Sequence, residues 1–168
     1  MANEEDSSLL NQNFFPVTTY IKGQLLDLKN EGINPIMHRI INNKKDSMWL
    51  KVEEVPTAVA PFLEPLIDSA NLKDLFKETR FLDQTLNAYT FTYDPIGKLP
   101  ENFELQHWDV YIDPETNRVT RIYILKKEKD GTIVQLTWLS DKSCHMVWIK
   151  DKGKPVIEKD IFINWRIE

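Results

Sequence analysis

The sequence predicts an α+β fold, with N-terminal helices packed against a curved, mostly antiparallel meander sheet of six to seven strands. Two observations predict it. Apolar residues recur at helical spacing as far as Leu75 and at alternate positions beyond it. The connections after Leu75 are short and rich in turn formers, which joins neighbouring strands antiparallel. A chain of 168 residues suits one domain with a substantial core, assigned to residues 13–168. Residues 1–12, "MANEEDSSLLNQ", are polar and acidic and read as a flexible tether.

In "FFPVTTYIKGQLLDLKNEG", Val17, Ile21, Leu25 and Leu28 fall on one helical face. Pro16 suits a first turn and Gly32 a C-terminal stop, so a helix is expected over 17–30. "NPIMHRIIN" (34–42) is β-branched and bounded by turn formers, hence a strand. "NNKKDS" reads as a turn that caps a second helical run, in which Met48, Val52, Val55, Val59, Phe62 or Leu63, and Leu66 recur. Pro56, Pro61 and Pro65 each remove a backbone donor there, so that run should be kinked or split. "SANLKDLF" adds one further turn.

"FKETRFLDQ" and "LNAYTFTYD" predict a hairpin, with Tyr89, Phe91 and Tyr93 on one side of its second strand. Strands over 103–112, 118–127, 132–139 and 143–150 follow, joined by "DPETN", "KDG" and "SDKS". A last strand covers about 156–166.

Strict alternation assigns faces. In 103–112, Glu104, Gln106, Trp108, Val110 and Ile112 oppose Phe103, Leu105, His107, Asp109 and Tyr111. In 118–127, Ile122 and Ile124 oppose Val119, Arg121, Tyr123 and Leu125. In 132–139, Val134, Leu136 and Trp138 oppose Ile133, Gln135, Thr137 and Leu139. A sheet with one solvated face should show a clean polar side. Here the second face mixes Tyr, His, Arg, Asp and Gln with apolar residues. It suits either an amphipathic surface beside the helices or the wall of a ligand site, since pockets combine apolar walls with a few polar groups. Trp108 and Trp148 are the tryptophans expected to touch a ligand, with Tyr111, Tyr123, Arg121 and His107 around them.

Composition excludes several classes. The formal net charge is -5 and the Lys and Arg residues are dispersed, which argues against nucleic-acid partners. No apolar run approaches membrane-spanning length. There is no phosphate-cradling glycine motif, no GxSxG and no HExxH, so no catalytic residue and no cofactor are assigned. Cys144 is the only cysteine. It adjoins His145, but strand neighbours point to opposite faces, so the two cannot act as a dyad. A small buried thiol is the expectation. His38, His107 and His145 lie on different expected strands without ligand spacing, so no metal site is assigned. Asp109 and Asp113 would stand about 13 Å apart along a strand, beyond the roughly 5–9.5 Å of paired glycosidase carboxylates.

At "APFLEPLIDSANL", "WDVYIDPETNRVTRIYILKK" and "LTWLSDKSC" the chain resembles small lipoproteins of the Bacteroidetes whose activity is uncharacterised. The resemblance implies an acidic tether ("NEEDSS"), a domain starting at "NFFPVTTYIKGQL", and a location in the periplasm or at the outer membrane. Membrane contact would come only through an N-terminal lipid anchor. The lipobox and its acceptor cysteine do not occur in this sequence, where "MA" stands in their place, and with Met1 as the native start the expectation is cytoplasmic. The expected outline is also similar to that of bacterial lipoprotein carriers. The function expected is a non-enzymatic envelope domain binding an apolar or amphipathic small molecule or a partner protein. The alternatives are a hydrolase using Asp109, His107 and His145, and a structural or assembly module.

Overall fold

The structure is a computed structural model that describes residues 14–166; the expected tether over 1–12 lies outside them. The elements run α1 (Val17–Glu31), β1 (Ile36–Ile41), β2 (Lys44–Trp49), a 3₁₀ turn (Val52–Glu54), α2 (Val55–Ala58), a second 3₁₀ turn (Ala60–Phe62) and α3 (Ser69–Leu72). Then come β3 (Phe76–Asp83), β4 (Ala88–Pro95), β5 (Leu105–Ile112), β6 (Val119–Lys127), β7 (Ile133–Leu139), β8 (Ser143–Asp151) and β9 (Pro155–Asn164). All nine strands form one antiparallel sheet in the order β2-β1-β9-β8-β7-β6-β5-β4-β3.

This corrects the expected fold. The molecule is mostly one nine-stranded antiparallel sheet with few, short helical pieces, not a six- to seven-stranded meander carrying a layer of N-terminal helices. Two local causes account for the difference. "NNKKDS" is not a turn before a helix. Asn42 and Asn43 both take left-handed angles (φ 50 and 67), the demand of a two-residue type I′ turn. The segment therefore folds as the β1–β2 hairpin, and Met48 and Trp49 belong to β2. In the second helical run the prolines break the pattern into single turns. Val55, Val59 and Phe62 are all buried, but no continuous helix joins them.

Helix α1 is stopped by Gly32 (φ 66), whose N–H bonds the Lys29 carbonyl while the Ile33 N–H bonds that of Leu28. Left-handed glycine in this position satisfies carbonyls the helix leaves free. Val17, Ile21 and Leu28 are buried in the core that also holds Trp108, Leu136 and Trp138. Polar bonds fix the helix: Thr18 Oγ1 accepts from the Ile67 N–H (2.9 Å), and Gln24 Oε1 accepts from Trp138 Nε1 (3.3 Å) and the Asp141 N–H (2.7 Å). The core thus lies on one face of the sheet, beneath α1 and the proline-broken turns. Lys126, also buried on that face, donates to the carbonyls of Pro61 and Glu64.

Register shifts interrupt the ladders between Leu105 and His107, between Tyr111 and Ile112 opposite Arg121 and Val119, and between Trp148 and Ile149. Each bulge inserts one residue and breaks strict alternation. Leu105 and Val119, expected opposite Trp108 and Ile122, are therefore buried with them. In β7, where no shift occurs, Val134, Leu136 and Trp138 are buried and their neighbours are not.

Candidate functional site

The other face of the sheet, here the outer face, is where chemistry-bearing side chains gather. Register places Thr92, Asp109, Tyr123, Thr137, His145, Phe162 and His38 in one continuous row across it. The neighbouring rows bring His107 opposite Leu125, and Tyr111 opposite Arg121, which faces Leu139. His107, Tyr111, Arg121 and Tyr123, four of the six residues expected around a ligand, therefore form one patch with Asp109.

The other two do not join it. Trp108 is completely buried on the core face, stacked on Tyr93 (ring centroids 4.7 Å, 8° between planes) and meeting Phe76 edge-on. It is a core residue and does not reach the outer face. Its Nε1 has no hydrogen-bond partner among the described residues. Trp148 also has core-face parity, opposite Val134, and lies half-buried near the sheet's end with the Lys159 ammonium 4.5 Å from its ring. Both were expected to touch a ligand along with Tyr111 because large aromatics suit such contacts. Strand alternation, which already set Trp108 on the face opposite Tyr111, puts both on the core side instead.

At the centre of the patch His107 is held between two carboxylates. Nδ1 lies 2.7 Å from Asp94 Oδ1 and Nε2 lies 2.8 Å from Asp109 Oδ2. Asp109, then Asp94, stabilise the protonated ring more than burial opposes it, and its pKa is pushed up to about 9. At neutral pH the ring is an imidazolium donating both N–H groups, so it has no lone pair for a base. Asp94 was not foreseen. It sits across from His107 only once the β4–β5 register is known, and the loop of residues 96–104 hides that register from the sequence.

Arg121 lies with its guanidinium carbon 5.4 Å from the Tyr111 ring centroid. The patch is thus electrically balanced, His107 and Arg121 against Asp94 and Asp109. Burial, and then the Asp109 charge, raise the pKa of both Tyr111 and Tyr123, which keeps their hydroxyls protonated at neutral pH. Neither hydroxyl bonds a protein group among the described residues, so both can donate outward.

His145 is separate. It bonds Asp160 (2.6 Å) and meets Phe162 edge-on, while His38 stacks on the other side of Phe162 and bonds Ser47 (2.8 Å). Three strand spacings lie between His145 and Asp109, about 14 Å. The Asp109, His107 and His145 set needed by a hydrolase therefore does not converge. Cys144 is buried on the core face, and burial pushes its thiol far above the ordinary value, the opposite of what a nucleophile needs. No group of three or more His, Cys, Asp or Glu among the described residues is arranged to hold a metal ion. No described helix is long and apolar enough to cross a membrane.

Where β5 turns into β6 and β7 into β8, the outer face ends in a cleft of about 540 Å³ lined by Asp113, Arg118, Arg121, Leu139, Ser140 and Lys142, among others. Its far wall is fixed by Asp141, whose carboxylate accepts from Arg118 (3.0 Å) and Gln24 (3.1 Å). No protein-family model, curated protein or solved structure matches this chain.

Proposed function

We propose that the protein is a non-catalytic binding domain of the cell envelope that holds an amphipathic small molecule against the outer face of its sheet. One observation carries the reading: on a face that no described helix covers, the half-buried His107, Asp109, Tyr111 and Tyr123 and the exposed Arg121 form a single patch, charge-balanced once Asp94 is counted and with two outward phenol donors. Such a patch offers apolar ring area and a few oriented polar groups, the usual make-up of a small-molecule site. The locked His107 supports binding over hydrolysis, because both of its nitrogens are already engaged. The envelope location is supported by the resemblance of "APFLEPLIDSANL" and "LTWLSDKSC" to small lipoproteins.

The test is a ¹⁵N NMR titration of the chain with decanol and decanoate, both below micelle formation. The expected result is shifts confined to outer-face residues of β5, β6 and β7, reduced at least fivefold in affinity by Tyr123→Ala with unchanged melting temperature. Shifts absent from those strands, or insensitive to Tyr111→Ala and Tyr123→Ala, would overturn the reading.

A further inference from the structure

The cleft at the end of the outer face shares Arg121 with the patch and differs from it in holding cations that no carboxylate pairs. Of its three cations, Arg118 is engaged by Asp141 at 3.0 Å. Arg121 and Lys142 make no ion pair with a carboxylate among the described residues. The acidic lining residue Asp113 turns one oxygen inward on its own loop, accepting from the Glu115 N–H at 2.8 Å. Arg121, counted above with the patch, and Lys142 thus present two cationic groups to the cleft, with Asp113 the lining carboxylate that no cation pairs among the described residues.

Arg121 is held at its head group, and Lys142 at its main chain, from which its exposed side chain reaches the cleft. The Arg121 guanidinium lies over Tyr111, and stacking of this kind leaves the in-plane N–H groups to donate outward. Lys142 is fixed through its backbone. Its N–H bonds the Leu139 carbonyl (3.1 Å), and its own carbonyl accepts from Trp165 (3.1 Å) and Arg166 (3.3 Å). Next to them, Leu139, the cross-strand partner of Arg121, is 36% exposed. A cationic pair thus adjoins an exposed leucine and the Tyr111 ring, in a space large enough for several heavy atoms.

We propose that this cleft seats the anionic head, a carboxylate or a phosphate, of an amphipathic ligand whose apolar part runs over Leu139 and Tyr111 onto the outer face. The proposal rests on the reading of the outer face as a binding surface and adds the class of head group and its place. Guanidinium forks match the planar oxygens of carboxylate and phosphate, and the lysine adds a point charge.

Four probes separate the possibilities: decanoate, monodecyl phosphate, decanol and inorganic phosphate, each titrated into the ¹⁵N-labelled chain. At least one of the two anionic amphiphiles should bind tenfold or more tightly than decanol and shift the amides of Arg121, Ser140 and Lys142. Which of the two prevails identifies the head group as carboxylate or phosphate. Lys142→Gln should weaken that anionic amphiphile at least fivefold and leave decanol unchanged. Arg121→Gln should weaken the anionic amphiphile at least fivefold more than it weakens decanol, and Arg121→Lys should restore part of that difference. Raising the salt should weaken the anionic probes alone. Equal affinity for decanol and both anionic amphiphiles, or indifference to both Gln variants, overturns the proposal while the outer-face reading stands. Inorganic phosphate binding as tightly as monodecyl phosphate overturns the amphipathic part, since the tail would then contribute nothing. If no probe shifts any outer-face amide, the proposal and the reading it rests on fall together.

Discussion

His107 shows how a single residue can be fixed by its surroundings rather than by its type. A histidine on a strand face is ordinarily near neutrality in water, but two carboxylates keep this one charged to about pH 9. The consequence for stability has a definite sign. The folded chain holds this proton more tightly than the unfolded chain, whose histidine titrates near 6.5. The contribution is therefore complete below about pH 6.5 and is lost as pH rises through about 9. Denaturant titrations between those values should show stability falling with pH, and His107→Gln should flatten the slope within that window. An unchanged slope in the variant would mean that the clamp is open in solution. The placement of His107 on the same face as Asp109 and Tyr111 was legible in the sequence; its fixed charge was not, because Asp94 comes from another strand.

The elements repeat this lesson at a larger size. The α1 helix and strands β5 to β8 were legible because their apolar spacing is regular and their ends carry proline, glycine or asparagine. The β1–β2 hairpin was misread because every residue of β2 is exposed, so burial leaves no alternating signature. Its one clear signal is the Asn42–Asn43 pair, read as part of a turn capping a helix when its conformation selects a two-residue hairpin. Asn43→Val should therefore cost about 1–2 kcal/mol, since a β-branched residue is poorly tolerated at φ 67. Chemical denaturation reads that loss; a cost near zero would show that β2 pairs with β1 without the turn. The face assignments of Leu105 and Val119 failed for a different reason. A bulge costs one residue of register, and nothing in the local composition announces it.

Across the whole molecule, the sheet joins segments far apart in the chain. β3 to β9 follow one another in sequence order, but β9 is also the strand on which β1 docks, with Ile36 opposite Asn164. Pairing over such separations requires a large loop to close before any contact rewards it, which slows folding. Folding should accordingly take milliseconds to seconds. In pulse-labelled hydrogen exchange the amides of β1 should gain protection together with or after those of β9. Protection of β1 before β9 would show that the hairpin is stable by itself. The place of β1 in the sheet was hidden for the same reason: its partner β9 lies at the other end of the sequence, beyond any local pattern.

The rung that pairs Ile36 with Asn164 also decides how the fold would respond to mechanical load. Tension entering ahead of β1 and behind β9 meets at one end of the same ladder, whose hydrogen bonds lie perpendicular to the strands. Once α1 has been drawn off, that ladder would open one pair at a time from Ile36 and Asn164 toward Ile41 and Lys159, a zipper and not a shear clamp. A chain tethered at both of those points would yield at low force and release its N-terminal hairpin first.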